Sequence, residues 1–284
     1  MTANNVSPVR STGGSSVGVL VQFAALFTSS CVLPIALYWL LKYVAHLSDG
    51  TVVAIPLAIF GVVSVLGLAK RTWDLVRPQS DCRPLGGTRW QLDYFDWNFI
   101  SGFTVVTIII IIGNILKPKS RGVRICSLPL SLLFFQVCTQ LVVVNFMVIS
   151  GVRYPWRISS MPQGTPVRPA LYTIVEDVVA IEGGRRERFR ASLDHRYMVH
   201  APTRKLLLDL SWIWGIGGLV VAVVLTALAF ALADVDLAFT LGWSVPWAFV
   251  AVAGLITRSM MKATYRKGGF TEVNTDEEVQ LASA

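Results

Sequence analysis

The sequence predicts an all-helical integral membrane protein: a six-transmembrane-helix bundle with a cytosolic amphipathic helical hairpin between segments four and five. Three observations carry this. Of 284 residues, 54% are hydrophobic and only 15% are charged, and the mean hydropathy of +0.59 lies outside the range of soluble globular domains. Second, no Asp, Glu, Lys or Arg occurs between Arg10 and Lys42, Asp49 and Lys70, Asp96 and Lys117, Arg124 and Arg153, Asp209 and Asp234, or Asp236 and Arg258. Each window holds at least 20 residues, which at about 1.5 Å per residue matches the roughly 30 Å hydrocarbon core of a bilayer. Third, six such segments leave too few amphipathic helices to cover them in a soluble core.

The segments run from Val17 to Leu41, Val52 to Ala69, Asn98 to Leu116, Ile125 to Ser150, Leu210 to Ala233 and Leu237 to Thr257. The first is too long for a signal peptide and lacks a small-residue cleavage signature, so it reads as an uncleaved anchor. Tyr38, Trp39, Trp97, Trp212, Trp214 and Trp243 sit near segment ends, where aromatic side chains meet headgroups.

Basic residues favour the cytosolic side. With both termini cytosolic, twenty of the 25 basic residues fall there. The exceptions are Lys42 and the group Lys117, Lys119, Arg121 and Arg124. That basic loop leaves an alternative in which segments three and four form a re-entrant hairpin, with four true crossings. The sequon at Asn5 lies on the cytosolic side and is predicted to carry no glycan.

The chain divides into a disordered arm (1–16), segments one to four (17–150), a cytosolic loop (151–206), segments five and six (207–262) and an acidic disordered tail (263–284). In the loop, Pro169 opens a helix with Leu171, Ile174, Val175, Val178 and Ile181 on its apolar face, and Gly183-Gly184 ends it. Glu176, Asp177 and Glu182 fall on its polar side. A second helix, Arg185 to Met198, spaces Phe189, Leu193 and Tyr197 four apart among arginines. Arg185, Arg186, Arg188 and Arg190 are candidates for anionic lipid headgroups; alternatively the two arms neutralise each other. The net charge of +8 needs no nucleic acid, since positive-inside loops supply it.

No charge lies near a segment centre, which counts against ion-coupled transport. The intramembrane polar residues Asn114, Gln136, Gln140 and Asn145 read as interhelical hydrogen-bonding groups. Gly215, Gly217 and Gly218, with Ala222, Ala227 and Ala231, read as close-packing positions in segment five. Three histidines, none deep in a span, supply no haem or metal site, and the four cysteines form no C-x-x-C pair. No cofactor is expected.

Catalysis, if present, falls to carboxylates at the cytosolic membrane edge: Asp93 and Asp96, a turn apart, with Glu176 and Asp177 brought near from the hairpin. Such groups bind Mg²⁺ with a diphosphate or protonate an olefin or epoxide. The competing expectation pairs these acids with Arg89, Arg185 and Arg186.

Arg168-Pro-Ala-Leu-Tyr-Thr-Ile-Val-Glu-Asp-Val-Val-Ala-Ile-Glu-Gly-Gly184, with Ser-Trp-Ile-Trp-Gly-Ile-Gly-Gly218, resembles a pattern in uncharacterised multi-pass membrane proteins of filamentous fungi. The resemblance covers the C-terminal 40% or so of the chain. It implies a fungal source and membership of a natural-product gene set, with no activity to carry over. The expected role is a non-enzymatic accessory, scaffold or lipid-interacting component. The alternatives are a membrane-bound enzyme of lipid, terpenoid or other natural-product biosynthesis, and a passive or small-molecule transporter working through Gln136 and Gln140.

Overall fold

A computed structural model describes Ala24 and residues 27–115, 119–183 and 186–267. The sequon at Asn5, Arg185 and the tail beyond Lys267 lie outside the described residues. Nine helices follow in order among the described residues: α1 (Thr28–Val44, with π-helical turns at both ends), α2 (Asp49–Val76), α3 (Tyr94–Ile115), α4 (Lys119–Cys126), α5 (Pro129–Ile149), α6 (Ala170–Ile181), α7 (Arg186–Val199), α8 (Ala201–Ala231) and α9 (Val235–Lys267). No strand occurs among the described residues, only isolated bridges at Arg153–Pro166 and Ile158–Met161.

Five helical stretches are long and apolar enough to cross a membrane: Gly50–Val76, Tyr94–Ile115, Arg121–Ile149, Ala201–Ala231 and Val235–Arg266. Several overrun the charge-free windows. A charge sets where a segment leaves lipid, but the backbone ladder continues until something stops it. α2 stops at Arg77, which is extended (ψ 147°) because it precedes Pro78 and proline disfavours the helical region for its predecessor. α8 begins early because Pro202 sits in its first turn, where a missing N–H costs nothing. α3 begins where the Asp93 carboxylate accepts the Asp96 backbone N–H at 2.8 Å, an N-cap with a second acid in the first turn.

The basic loop from Lys117 to Arg124 is largely helical. Val123 and Cys126 of α4 are buried with Tyr38, Val52, Phe239 and Trp243. Arg124 donates to the Ala229 and Ala233 carbonyls at 2.8 and 3.2 Å, so its charge closes the carbonyl end of α8. Lys42 forms an ion pair with Asp236, to which Tyr38 and Tyr43 also donate. Asp234 in turn caps α9 through the Asp236 and Leu237 amides. Thus two of the five basic residues that contradict the charge bias are neutralised or engaged at one end of the bundle.

The most extensive helix pairing joins α5 and α8. A side chain on Gly218 would place its Cβ 2.3 Å from Cys138 Sγ, and one on Gly215 would meet Val142 and Leu141 at 3.0 and 3.2 Å. These contacts fix an antiparallel register in which Gly215 lies at Leu141 and Val142 and Gly218 at Cys138. Gly242 approaches closer still: a Cβ there would lie 2.2 Å from the Ser127 carbonyl oxygen. This is the bend between α4 and α5, where Trp243 donates to the Cys126 carbonyl at 3.2 Å.

Gly242→Val is expected to lower the thermal midpoint in detergent by an amount corresponding to about 1–3 kcal/mol of overpacking. Gly254→Val, with no atom within 4 Å of the new Cβ, serves as the control. Equal midpoints for the two variants would show that the contact at Ser127 is not limiting.

Candidate functional site

The end of the bundle that carries α6 and α7 gathers every carboxylate singled out in the sequence. Asp93, Asp96, Glu176 and Asp177 are each 0% exposed, and two guanidinium groups hold them together. Arg71, from the last turns of α2, spans the first pair: Nη2 lies 2.6 Å from Asp93 Oδ2 and Nε 2.7 Å from Asp96 Oδ1. Its Nη1 reaches Glu182 at 3.3 Å, and its guanidinium stacks over the Phe95 ring at 4.4 Å. Arg190, from α7, spans the second pair: Nη1 lies 2.6 Å from Asp177 Oδ1 and 3.1 Å from Glu176 Oε1. Its Nη2 donates to the Cys82 carbonyl at 3.2 Å and lies 3.7 Å from Asp93 Oδ2. Asp93 therefore bridges the two arginines.

The loop between α5 and α6 completes the enclosure. Ser159, held at φ 44° in a tight turn closed by Ile158 and Met161, donates to Asp177 Oδ2 at 2.7 Å and accepts the Tyr94 N–H at 2.9 Å. Ser160 accepts the Leu85 N–H at 2.9 Å. Thr72 donates to Asp96 Oδ2 at 3.4 Å. Two polar atoms of the buried cluster, Glu176 Oε2 and Arg190 Nε, meet no partner among the described residues.

Two positive groups face four fully buried carboxylates, so the cluster does not ionise completely near neutrality. Burial, reinforced by the neighbouring charge of Asp93, pushes the Asp177 carboxyl up to about 7, against the opposing pull of Arg190. Burial also raises Glu176, again opposed by Arg190.

Three sequence expectations change here. Glu176 and Asp177 do not face solvent on a polar side; buried guanidinium groups turn them inward. Among the described residues the partners of the acids are Arg71 and Arg190, whereas Arg89 donates to the Val76 carbonyl and Arg186 pairs elsewhere; Arg185 lies outside the described residues. Arg190 itself does not face headgroups, since it is 0% exposed. Arg186 instead pairs with Asp81 at 2.7 Å on the surface, and Arg188 is exposed. Arg190 had a legible signal: it precedes Leu193 and Tyr197 by three and seven residues, so it belongs to the apolar face of α7. Arg71 and Ser159 offered none beyond position.

The intramembrane polar residues divide between helices. Gln136 donates to the Asn98 carbonyl at 2.9 Å and the Ser101 hydroxyl at 2.8 Å, and Tyr94 donates to Gln140, tying α5 to α3. Asn114 donates back to Ile110 in its own helix. Asn145 is fully buried, with neither side-chain polar atom partnered among the described residues.

Residues 16–269 match the model of a domain of unknown function, DUF8766. The chain belongs to this family. The DUF8766 match encloses both arginines and all four acids, so the cluster lies within the family's domain. No curated protein and no solved structure matches the chain.

Arg190→Met is expected to cost about 3–5 kcal/mol, since it leaves buried carboxylates without their counter-charge. Adding Glu176→Gln and Asp177→Asn should restore most of that loss in thermal unfolding. Failure of the triple variant to recover would mean that the charges act through something other than mutual compensation.

The raised Asp177 and Glu176 carboxyls give a sign for pH dependence. The folded state binds protons that the unfolded chain has released, so their contribution is fully present below the ordinary carboxylate range and is lost as pH rises through about 7 for Asp177. The thermal midpoint should therefore fall as pH increases through neutrality. Asp177→Asn should flatten that slope; an unchanged slope would assign it to other groups.

Proposed function

We propose that this protein is a non-enzymatic membrane component, an accessory or scaffold with lipid-facing surfaces, built on six crossings with both termini in the cytosol. The observation that carries the reading is the sealing of the candidate acids. All four are fully buried and engaged by Arg71, Arg190, backbone amides or hydroxyls. A set of carboxylates spent on one another's counter-charges locks a cap; it leaves no face toward a substrate.

The sixth crossing would be α1. Trp39 donates to Thr240 near the start of α9, while Trp247 donates to the Ser30 carbonyl and packs edge-to-face on Phe27. At Phe27 the segment has therefore descended only partway along α9. The apolar sequence from Val17, which the charge-free window assigns to the same crossing, lies outside the described residues apart from Ala24, and in this topology α6 and α7 form the helical hairpin on the cytosolic face. The engagement of Lys42 and Arg124 at the opposite end supports this sidedness, because it removes part of the contrary charge. Anionic headgroups remain available partners for Arg186 and Arg188 on this face.

All four native cysteines are buried, so sidedness can be read with single added cysteines. In sealed microsomes, whose outer face is cytosolic, Arg188→Cys should react with an impermeant maleimide and Arg121→Cys only after permeabilisation. The reverse pattern would invert the topology.

The role itself is tested by gene deletion followed by metabolite comparison, with complementation by an Asp93→Asn, Asp177→Asn variant at wild-type abundance. Full complementation is expected. Accumulation of a precursor that the variant fails to clear would replace this reading with an enzymatic one.

A further inference from the structure

A slot of about 390 Å³ runs along the outside of the α5–α8 pair, lined only by apolar side chains, among them Val142, Phe146, Trp212, Ile216, Val220 and Val223. Its volume falls within the roughly 300–1,000 Å³ of small-ligand sites. It lies beside the contacts at which Gly215 and Gly218 meet Leu141, Val142 and Cys138, bounded by larger side chains of both helices. Phe146 and Trp212 meet edge-to-face, with ring centres 5.1 Å apart, and form its wall nearest the capped end.

Exposed apolar side chains are ordinary on a lipid-facing surface. The concavity, its length and its charged end are not. From Trp212 to Val224 the slot follows α8 for about 18 Å at the rise of an α-helix, close to one leaflet of a roughly 30 Å hydrocarbon core. We take its mouth at the Phe146–Trp212 end, which is the end toward which α5 finishes and α8 begins. Lys205, exposed, precedes Trp212 by two turns and so shares its face. Arg204 donates to the Tyr197 and Met198 carbonyls yet keeps its charge, and Arg153, exposed, follows α5 by four residues. Asp209, half-buried, is the carboxylate on this stripe. Lys205, Arg204 and Arg153 thus give this end of the α5–α8 pair a basic margin.

We infer that this slot holds one acyl chain of an anionic phospholipid, with the phosphate at Arg153 and Lys205. The inference deepens the lipid-interacting part of the proposed function and rests on its sidedness only in naming the cytosolic leaflet. Purified full-length protein in phosphatidylcholine nanodiscs, doped with a minor fraction of lipid brominated on its acyl chain, provides the test. Trp212 fluorescence, taken as the difference between wild type and Trp212→Phe, should be quenched more by brominated phosphatidylserine than by brominated phosphatidylcholine. The apparent preference should be about fivefold for each basic residue at the mouth.

Arg153→Glu with Lys205→Glu, which alters exposed positions, should abolish the preference and leave general quenching intact. Val220→Phe, which fills the slot without adding an indole, should reduce the quenching of Trp212 by both lipids. Equal quenching by the two lipids in wild type would reduce the slot to ordinary lipid contact and overturn the proposal. Protection from both, together with a disulfide between copies formed through Val220→Cys, would assign the slot to a second copy and overturn it equally. None of these readouts depends on metabolite phenotype or maleimide labelling, so this inference and the proposed function fail separately.

Discussion

Arg71 sits in the closing turns of a membrane-length helix with only 4% of its surface exposed, a position no lone guanidinium could occupy. The desolvation of a buried ion costs several kcal/mol and is offset only by close counter-charges with good geometry. Asp93 and Asp96 supply them, but doing so buries two carboxylates and recruits Arg190, whose own burial then requires Glu176 and Asp177. Each group is tolerable because the next is present. The chain of dependence draws α2, α3, α6, α7 and the loops at Cys82 and Ser159 into one unit. An apolar cluster of Tyr154, Met161, Val167, Tyr172 and Leu207 packs under the same cap, where the Tyr154 hydroxyl accepts the Arg168 N–H at 3.1 Å just before α6. The ion network adds charged, directional contacts that join α2, α3, α6 and α7 to one another.

The opposite end solves a similar problem with fewer groups. Asp236 receives Lys42 and the hydroxyls of Tyr38 and Tyr43, which fastens α1 to the start of α9. Arg124 closes the carbonyl end of α8 from a different helix. In both cases a charge at the edge of the apolar slab is placed against a helix terminus of opposite polarity, where the unpaired backbone groups concentrate partial charge. The basic stretch before α5 is therefore compatible with the bundle because Arg124 is engaged on helix carbonyls rather than left facing water.

Much of this was legible beforehand, for identifiable reasons. Apolar windows are long-range composition signals, and Asn98, Leu210 and Leu237 each fall inside the helix they predict. Helix limits were less so, since α2 and α8 continue through charged residues until proline chemistry decides. Asp93, Asp96, Glu176 and Asp177 were singled out by type and by position at the membrane edge, and they do converge. Arg89 and Arg186 are the described partners that the sequence offers them, whereas the structure places Arg71 and Arg190 against them. Burial of a charge depends on several elements at once and leaves almost no local trace. Arg190 is the exception, because it shares the face of Leu193 and Tyr197 on α7.

Between its two electrostatically fastened ends the bundle carries no charge at all, and there it holds together by proximity. Lipid is as apolar as leucine, so burial drives helices together only weakly and contact area must substitute. Gly102 accommodates Gln136, Gly218 accommodates Cys138, and Gly242 accommodates the Ser127 carbonyl; each absent side chain converts distance into contact. Gln136 and Tyr94 add hydrogen bonds between α3 and α5 without placing an ion in hydrocarbon. The cost of this economy is geometric. Where glycines set the contact between two helices, the larger side chains beside them bound a recess. The slot beside α5 and α8 thus adjoins the glycine contacts that hold the pair, and its Phe146–Trp212 end is the one nearer Arg153, Arg204 and Lys205 in the two helices.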